Sequence, residues 1–86
     1  MKKMTVEIVN PSGLHARPAS DFVKKAIGFK CDVFLQKDVK KMNAKSILGI
    51  LALGLHKGAQ VDIITDGEDE EEALDALVDY VKNIQE

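Results

Sequence analysis

Apolar residues recur along this chain with two periods, two and about 3.6, and the switches between them mark out seven elements. Met4, Val6 and Ile8 alternate with Thr5 and Glu7, the pattern of a half-buried strand. Asn10-Pro11-Ser12-Gly13 is turn chemistry and ends it. From Ala16 to about Ile27, the residues Ala19, Phe22, Val23, Ala26 and Ile27 fall three or four apart, which predicts an amphipathic helix closed by Gly28. Two strands follow: Cys31 to Gln36, with Val33 and Leu35 on one face, and Lys40 to Ala44, with Met42 and Ala44 facing inward. Ser46 caps a short helix from Ile47 to Leu53, and Gly54 closes it. A fourth strand, Ala59 to Thr65, turns Val61 and Ile63 inward and ends at the Asp66-Gly67 turn. The last helix runs from Glu68 to Ile84, with Ala73, Leu74, Leu77, Val78, Val81 and Ile84 as its apolar stripe. The order β-α-β-β-α-β-α predicts an α+β fold, one sheet with its helices packed on a single face.

Residues 1–86 hold no repeat or linker and form one small domain with a single modest core. The longest apolar stretch, Ile47 to Leu55, is broken by Gly49 and Gly54 and is far too short to span a bilayer. No basic-then-apolar leader opens the sequence, so neither export nor membrane insertion is expected. The single Cys31 excludes an internal disulfide and fits a reducing cytoplasm. Cys31, His15 and His56 have no metal-ligand spacing, so no metal is expected.

The net charge of −2 conceals an asymmetry. Residues 1–58 carry 11 Lys/Arg against 4 Asp/Glu, whereas residues 59–86 carry 1 against 10. The basic portion would steer acidic partners toward itself. Nucleic acid is not among them, because aromatic residues are few and no basic face is interleaved with them.

The chemistry concentrates at Gly13-Leu14-His15-Ala16-Arg17-Pro18-Ala19. His15 stands where a helix begins, beside backbone N–H groups without intrahelical partners and the positive end of the peptide dipoles. Arg17 adds a fixed charge that can fork onto phosphate oxygens. Pro18 fits the first turn, where its missing N–H leaves nothing unpaired. A histidine at a helix start is commonly only a cap or a surface residue, but these neighbours suit an imidazole that carries a phosphoryl group. Ser46, followed by an apolar run, has a structural explanation as an N-cap. At about 100° per residue, Ile47, Leu48 and Leu51 form one arc of their helix, and Ile50 and Leu53 another. The helix is therefore either buried on both sides or presents the first arc as a docking patch.

Two motifs, Gly13-Leu14-His15-Ala16-Arg17-Pro18-Ala19 and Lys45-Ser46-Ile47-Leu48-Gly49-Ile50-Leu51, resemble those of the HPr family, the histidine-containing phosphocarriers of the phosphoenolpyruvate-dependent sugar phosphotransferase system. Gly54, Gly58-Ala59 and the element order extend the resemblance over essentially the whole chain. It implies an open-faced β-sandwich, a four-stranded antiparallel sheet with three helices on one side. It also implies a carrier rather than an enzyme; nothing in the sequence calls for a cofactor or for more than a monomer. Enzyme I would load Nδ1 of His15, giving the pros-phosphohistidine, and a IIA component of a sugar-specific enzyme II complex would unload it. The N–H groups of Ala16 and Arg17 would hold the phosphoryl oxygens. Ile47, Leu48 and Leu51 would dock the partners. Ser46 would be the regulatory phosphoserine of Gram-positive-type relatives, made by an HPr kinase/phosphorylase, with a transcriptional regulator as a further partner.

The sequence departs from the family where Gln36-Lys37-Asp38-Val39-Lys40 replaces the common Asn-Gly hairpin, because Val39 tolerates a positive φ poorly. The turn is expected to be longer or of another type, and Phe34 to lie on the open face. Three other functions compete with the sugar carrier: a carrier of the nitrogen-linked branch, an acylphosphatase-like hydrolase, and a regulatory module of the kind whose members lack the active histidine.

Overall fold

The computed structural model describes residues 1–84. Strands β1 (Lys2–Glu7), β2 (Asp32–Lys37), β3 (Lys40–Asn43) and β4 (Gln60–Asp66) alternate with helices α1 (Ala16–Ile27), α2 (Ile47–Leu51) and α3 (Glu70–Lys82). The strands form one antiparallel sheet in the order β1-β4-β2-β3. This is the α+β architecture that the apolar pattern predicts. Val33, Leu35, Val61 and Ile63 are buried on one face of the sheet and cluster with Phe22 and Ala26 of α1, Ile50 of α2, and Leu77 and Val81 of α3. Burying Phe22 completely is worth about 3 kcal/mol, which makes it one of the larger single contributors to this core.

Element ends differ from the periodicity where local hydrogen bonds intervene. Helix α2 stops at Leu51 rather than Leu53, because Leu53 N–H and Gly54 N–H donate to the carbonyls of Ile50 and Leu51 and tighten the chain into three-residue turns. Helix α3 begins at Glu70 rather than Glu68, since Ala73 N–H makes its first bond to the Asp69 carbonyl. The β2–β3 hairpin is not longer than two residues. Lys37 pairs with Lys40, the positive φ of 55° falls on Asp38, and Val39 escapes it and stands almost fully exposed.

The outer face of the sheet holds a small apolar seam. Phe34 lies there half-buried with Lys41 Nζ 4.5 Å from its ring centre, and the cross-strand neighbour Ile64 is only 4% exposed although it lies outside the core cluster. On the inner side Cys31 packs as a small hydrophobe, and burial together with the nearby Asp69 pushes its thiol up to about 11.

Asp69 does not cap its own helix. Its carboxylate accepts the backbone N–H groups of Lys30 at 2.8 Å and Cys31 at 2.9 Å, tying the α1–β2 connection to the start of α3. These bonds, that from Lys30 foremost, hold its pKa below the ordinary 3.8. A depressed folded-state pKa gives stability that is complete above the unfolded value and fades as pH falls through the folded one. Asp69→Asn is therefore expected to unfold at a lower temperature than the wild type at pH 7. The gap should narrow as the pH falls below 3.8, which thermal unfolding across that range will show.

Candidate functional site

The segment before α1 is fixed before any functional residue is reached. Gly13 has φ +70°, and a Cβ there would run into the carbonyl oxygen of Leu55. The close approach lets Leu14 N–H donate to that same oxygen at 2.9 Å, while the Leu14 side chain is buried in the core. Buried Asn10 closes the loop by donating from Nδ2 to the Gly13 carbonyl at 2.7 Å. The turn chemistry at 10–13 is legible in the sequence. Its seating on the Leu55 loop is a contact between distant segments and leaves only the glycine as a signal.

His15 follows at the N-cap of α1, in extended backbone conformation, and its imidazole makes no capping bond. The residue is exposed, as are Ala16 and Arg17 after it. The first intrahelical bond runs from Ala19 N–H to the His15 carbonyl at 2.9 Å. The N–H groups of Ala16 and Arg17 therefore have no acceptor within the helix, and Pro18 has no N–H to satisfy. His15, Arg17, Pro18 and Asp21 line one side of a groove of about 550 Å³, together with Ser12. Tyr80, Asn83 and Ile84 at the end of α3 line the other. Tyr80 is the residue that the sequence pattern does not single out, because it sits on the flank of the α3 stripe.

Helix α2 packs beside α1 without entering this groove. Ser46 is its N-cap and accepts Gly49 N–H at 3.4 Å on Oγ. Lys45 Nζ donates to the Phe29 carbonyl at 2.8 Å and so ties the capping turn to the end of α1. Gly49 lies close against β3, where a Cβ would come within 2.7 Å of the Asn43 carbonyl oxygen. Ile50 and Leu53 are buried, whereas Ile47 is 36%, Leu51 40% and Leu48 76% exposed. The two arcs thus separate into a core face and a solvent face. His56 is exposed on the loop after α2, away from the groove lining. No helix among the described residues is long and apolar enough to cross a membrane.

The family model described as the PTS HPr component phosphorylation site matches residues 2–83. The chain is 50% identical to the HPr-like protein Crh of Bacillus subtilis (strain 168) over 82 residues, 95% of this chain and 96% of the relative. It is 42% identical to the phosphocarrier protein HPr of Neisseria meningitidis serogroup A over 81 residues, 94% of this chain and 91% of the relative. The crystal structure of HPr-C-His from Thermoanaerobacter tengcongensis superposes with a TM-score of 0.92 at 51% identity, covering 95% of this chain and 92% of that one. A structure of an HPr dimer from the same organism matches with a TM-score of 0.76, at 51% identity and 95% and 94% coverage.

The geometry makes Gly13 the support of the whole segment. Gly13→Ala combines a left-handed backbone with a steric conflict at Leu55, so a loss of about 1–3 kcal/mol is expected in denaturant unfolding. The His15 and Arg17 amide resonances should shift with it.

Proposed function

Because this chain belongs to the HPr family of the phosphotransferase system, we propose that it carries a phosphoryl group on His15, taken from phosphorylated Enzyme I and passed to the IIA component of a sugar-specific enzyme II complex. The observation that carries this reading is the exposed imidazole at the N-cap of α1, beside the N–H groups of Ala16 and Arg17. In the transfer, the lone pair of Nδ1 forms the bond to phosphorus while the bond from phosphorus to the donor breaks. The oxygens of the group accept from the two backbone N–H groups and meet the Arg17 guanidinium. Exposure suits a bond that must be broken again by the next partner. The protein is a carrier without turnover of its own, needs no cofactor and acts as a monomer in the cytoplasm. A single copy presents both His15 and the α2 face.

Ile47, Leu48 and Leu51 form the docking patch, and the basic balance of residues 1–58 favours acidic partners. Ser46 at the head of that patch is the regulatory site for an HPr kinase/phosphorylase. A phosphate there adds close to two negative charges to a surface that attracts acidic proteins, which slows the His15 route. Its recognition by a transcriptional regulator would use the same face.

A second reading is favoured by the 50% identity to Crh, a protein that a solution structure describes as the Bacillus subtilis catabolite repression HPr. On that reading Ser46 alone is modified and His15 is idle. Labelling decides between them. With Enzyme I and labelled phosphoenolpyruvate, the wild type should gain an acid-labile label on His15, and His15→Ala should gain none. Arg17→Ala should take it up roughly tenfold or more slowly with its fold unchanged. No label on the wild type, with Ser46 still phosphorylated by kinase and ATP, would favour the regulatory module. Leu48→Asp and Ser46→Asp should each raise the KM for Enzyme I by about tenfold, with little change in unfolding midpoint. An unchanged KM would remove the α2 face from the docking surface.

A further inference from the structure

The far wall of the His15 groove includes a residue that the carrier reading leaves without a role. Tyr80, on the last turns of α3, is half-buried, and its hydroxyl donates to the Pro18 carbonyl at 3.1 Å. Pro18 is the third residue of α1, so this bond grips the same turn that presents the N–H groups of Ala16 and Arg17. The ring is held independently of the hydroxyl. It packs at 6.3 Å and 59° against Phe22, and Lys25 Nζ lies 5.6 Å from its centre. Burial first, then the charge of Asp21, raise the phenol pKa, and Arg17 opposes them. The hydroxyl is therefore protonated at neutral pH and lies within the field of the groove's two charged side chains.

Resting on the carrier reading, we propose that Tyr80 is a positioning residue for phosphoryl transfer, its hydroxyl fixing the first turn of α1 so that the two backbone N–H groups and Arg17 stay aimed at the group on His15. Tyr80 touches neither donor nor phosphoryl group and acts through Pro18. A helix start whose second and third residues are exposed Arg17 and donor-less Pro18 has few internal bonds to hold it. A hydrogen bond from a different helix supplies the restraint across the mouth of the groove.

Phosphoramidate tests this without any protein partner. Its phosphorus–nitrogen bond breaks as the bond to the imidazole forms, and ammonia leaves. Tyr80→Phe keeps the ring and deletes only the hydroxyl. Phosphohistidine formation, followed by ³¹P resonance, should slow by about three- to tenfold, and hydrolysis of the product should quicken. Val61→Ala, which opens the core outside the groove, measures what lost stability alone does to the rate, and it should leave the rate within about twofold of wild type. A Tyr80→Phe rate equal to wild type, or slowed no more than that of Val61→Ala at a matched unfolding midpoint, would overturn the assignment. Failure of the wild type itself to form phosphohistidine would instead overturn the carrier reading on which the assignment rests.

Discussion

The hydrogen bond from Leu14 N–H to the Leu55 carbonyl is the contact on which the exposed end of α1 depends. On the carrier reading the imidazole must stay open to both partners, and exposed segments order themselves poorly. Here the order comes from the residues just before it. Gly13 removes the side chain that would hold the two loops apart, and Leu14 drops into the core. His15 is thus one residue from a fully anchored position while remaining open to water. Rigidity and accessibility, which usually oppose each other, are separated by a single peptide unit.

Charge in this fold is used locally before it is used at long range. The acidic start of α3 is largely engaged within the chain. Asp69 holds the backbone at Lys30 and Cys31, Glu70 accepts from Gly67 N–H and the chain's amino group, and Glu71 pairs with Lys2. Arg17, Lys24 and Lys25 on α1 are exposed instead; Arg17 lines the groove and Lys25 Nζ lies 5.6 Å from the centre of the Tyr80 ring that borders it. The segregation visible in the sequence therefore resolves into two arrangements, an internal clasp of acidic groups at the start of α3 and exposed basic side chains along α1.

Much of this was readable from residue order. The strand and helix periods give every element and the His-x-Arg-Pro segment marks the helix start; the two arcs of α2 define the alternatives, and the fold turns Ile47, Leu48 and Leu51 outward. Boundaries shift where a side chain is committed to a distant partner, as with Asp69, whose carboxylate serves β2's approach rather than α3. Ile64 shows the same limit. Its alternation places it outside, yet it is only 4% exposed, opposite Phe34 on the neighbouring strand. Tyr80 escapes pattern reading altogether, because its importance lies in one hydroxyl meeting a carbonyl sixty-two positions earlier. Period and propensity describe a residue's own element; they say nothing of which foreign backbone atom it will meet.

Tyr80 is also the chain's only tyrosine, and the chain has no tryptophan. Its near-ultraviolet absorption and emission above the weak phenylalanine background therefore originate at one point, on the wall of the groove beside His15. The tyrosine signal of this protein reports on the groove beside His15, without any label having to be attached.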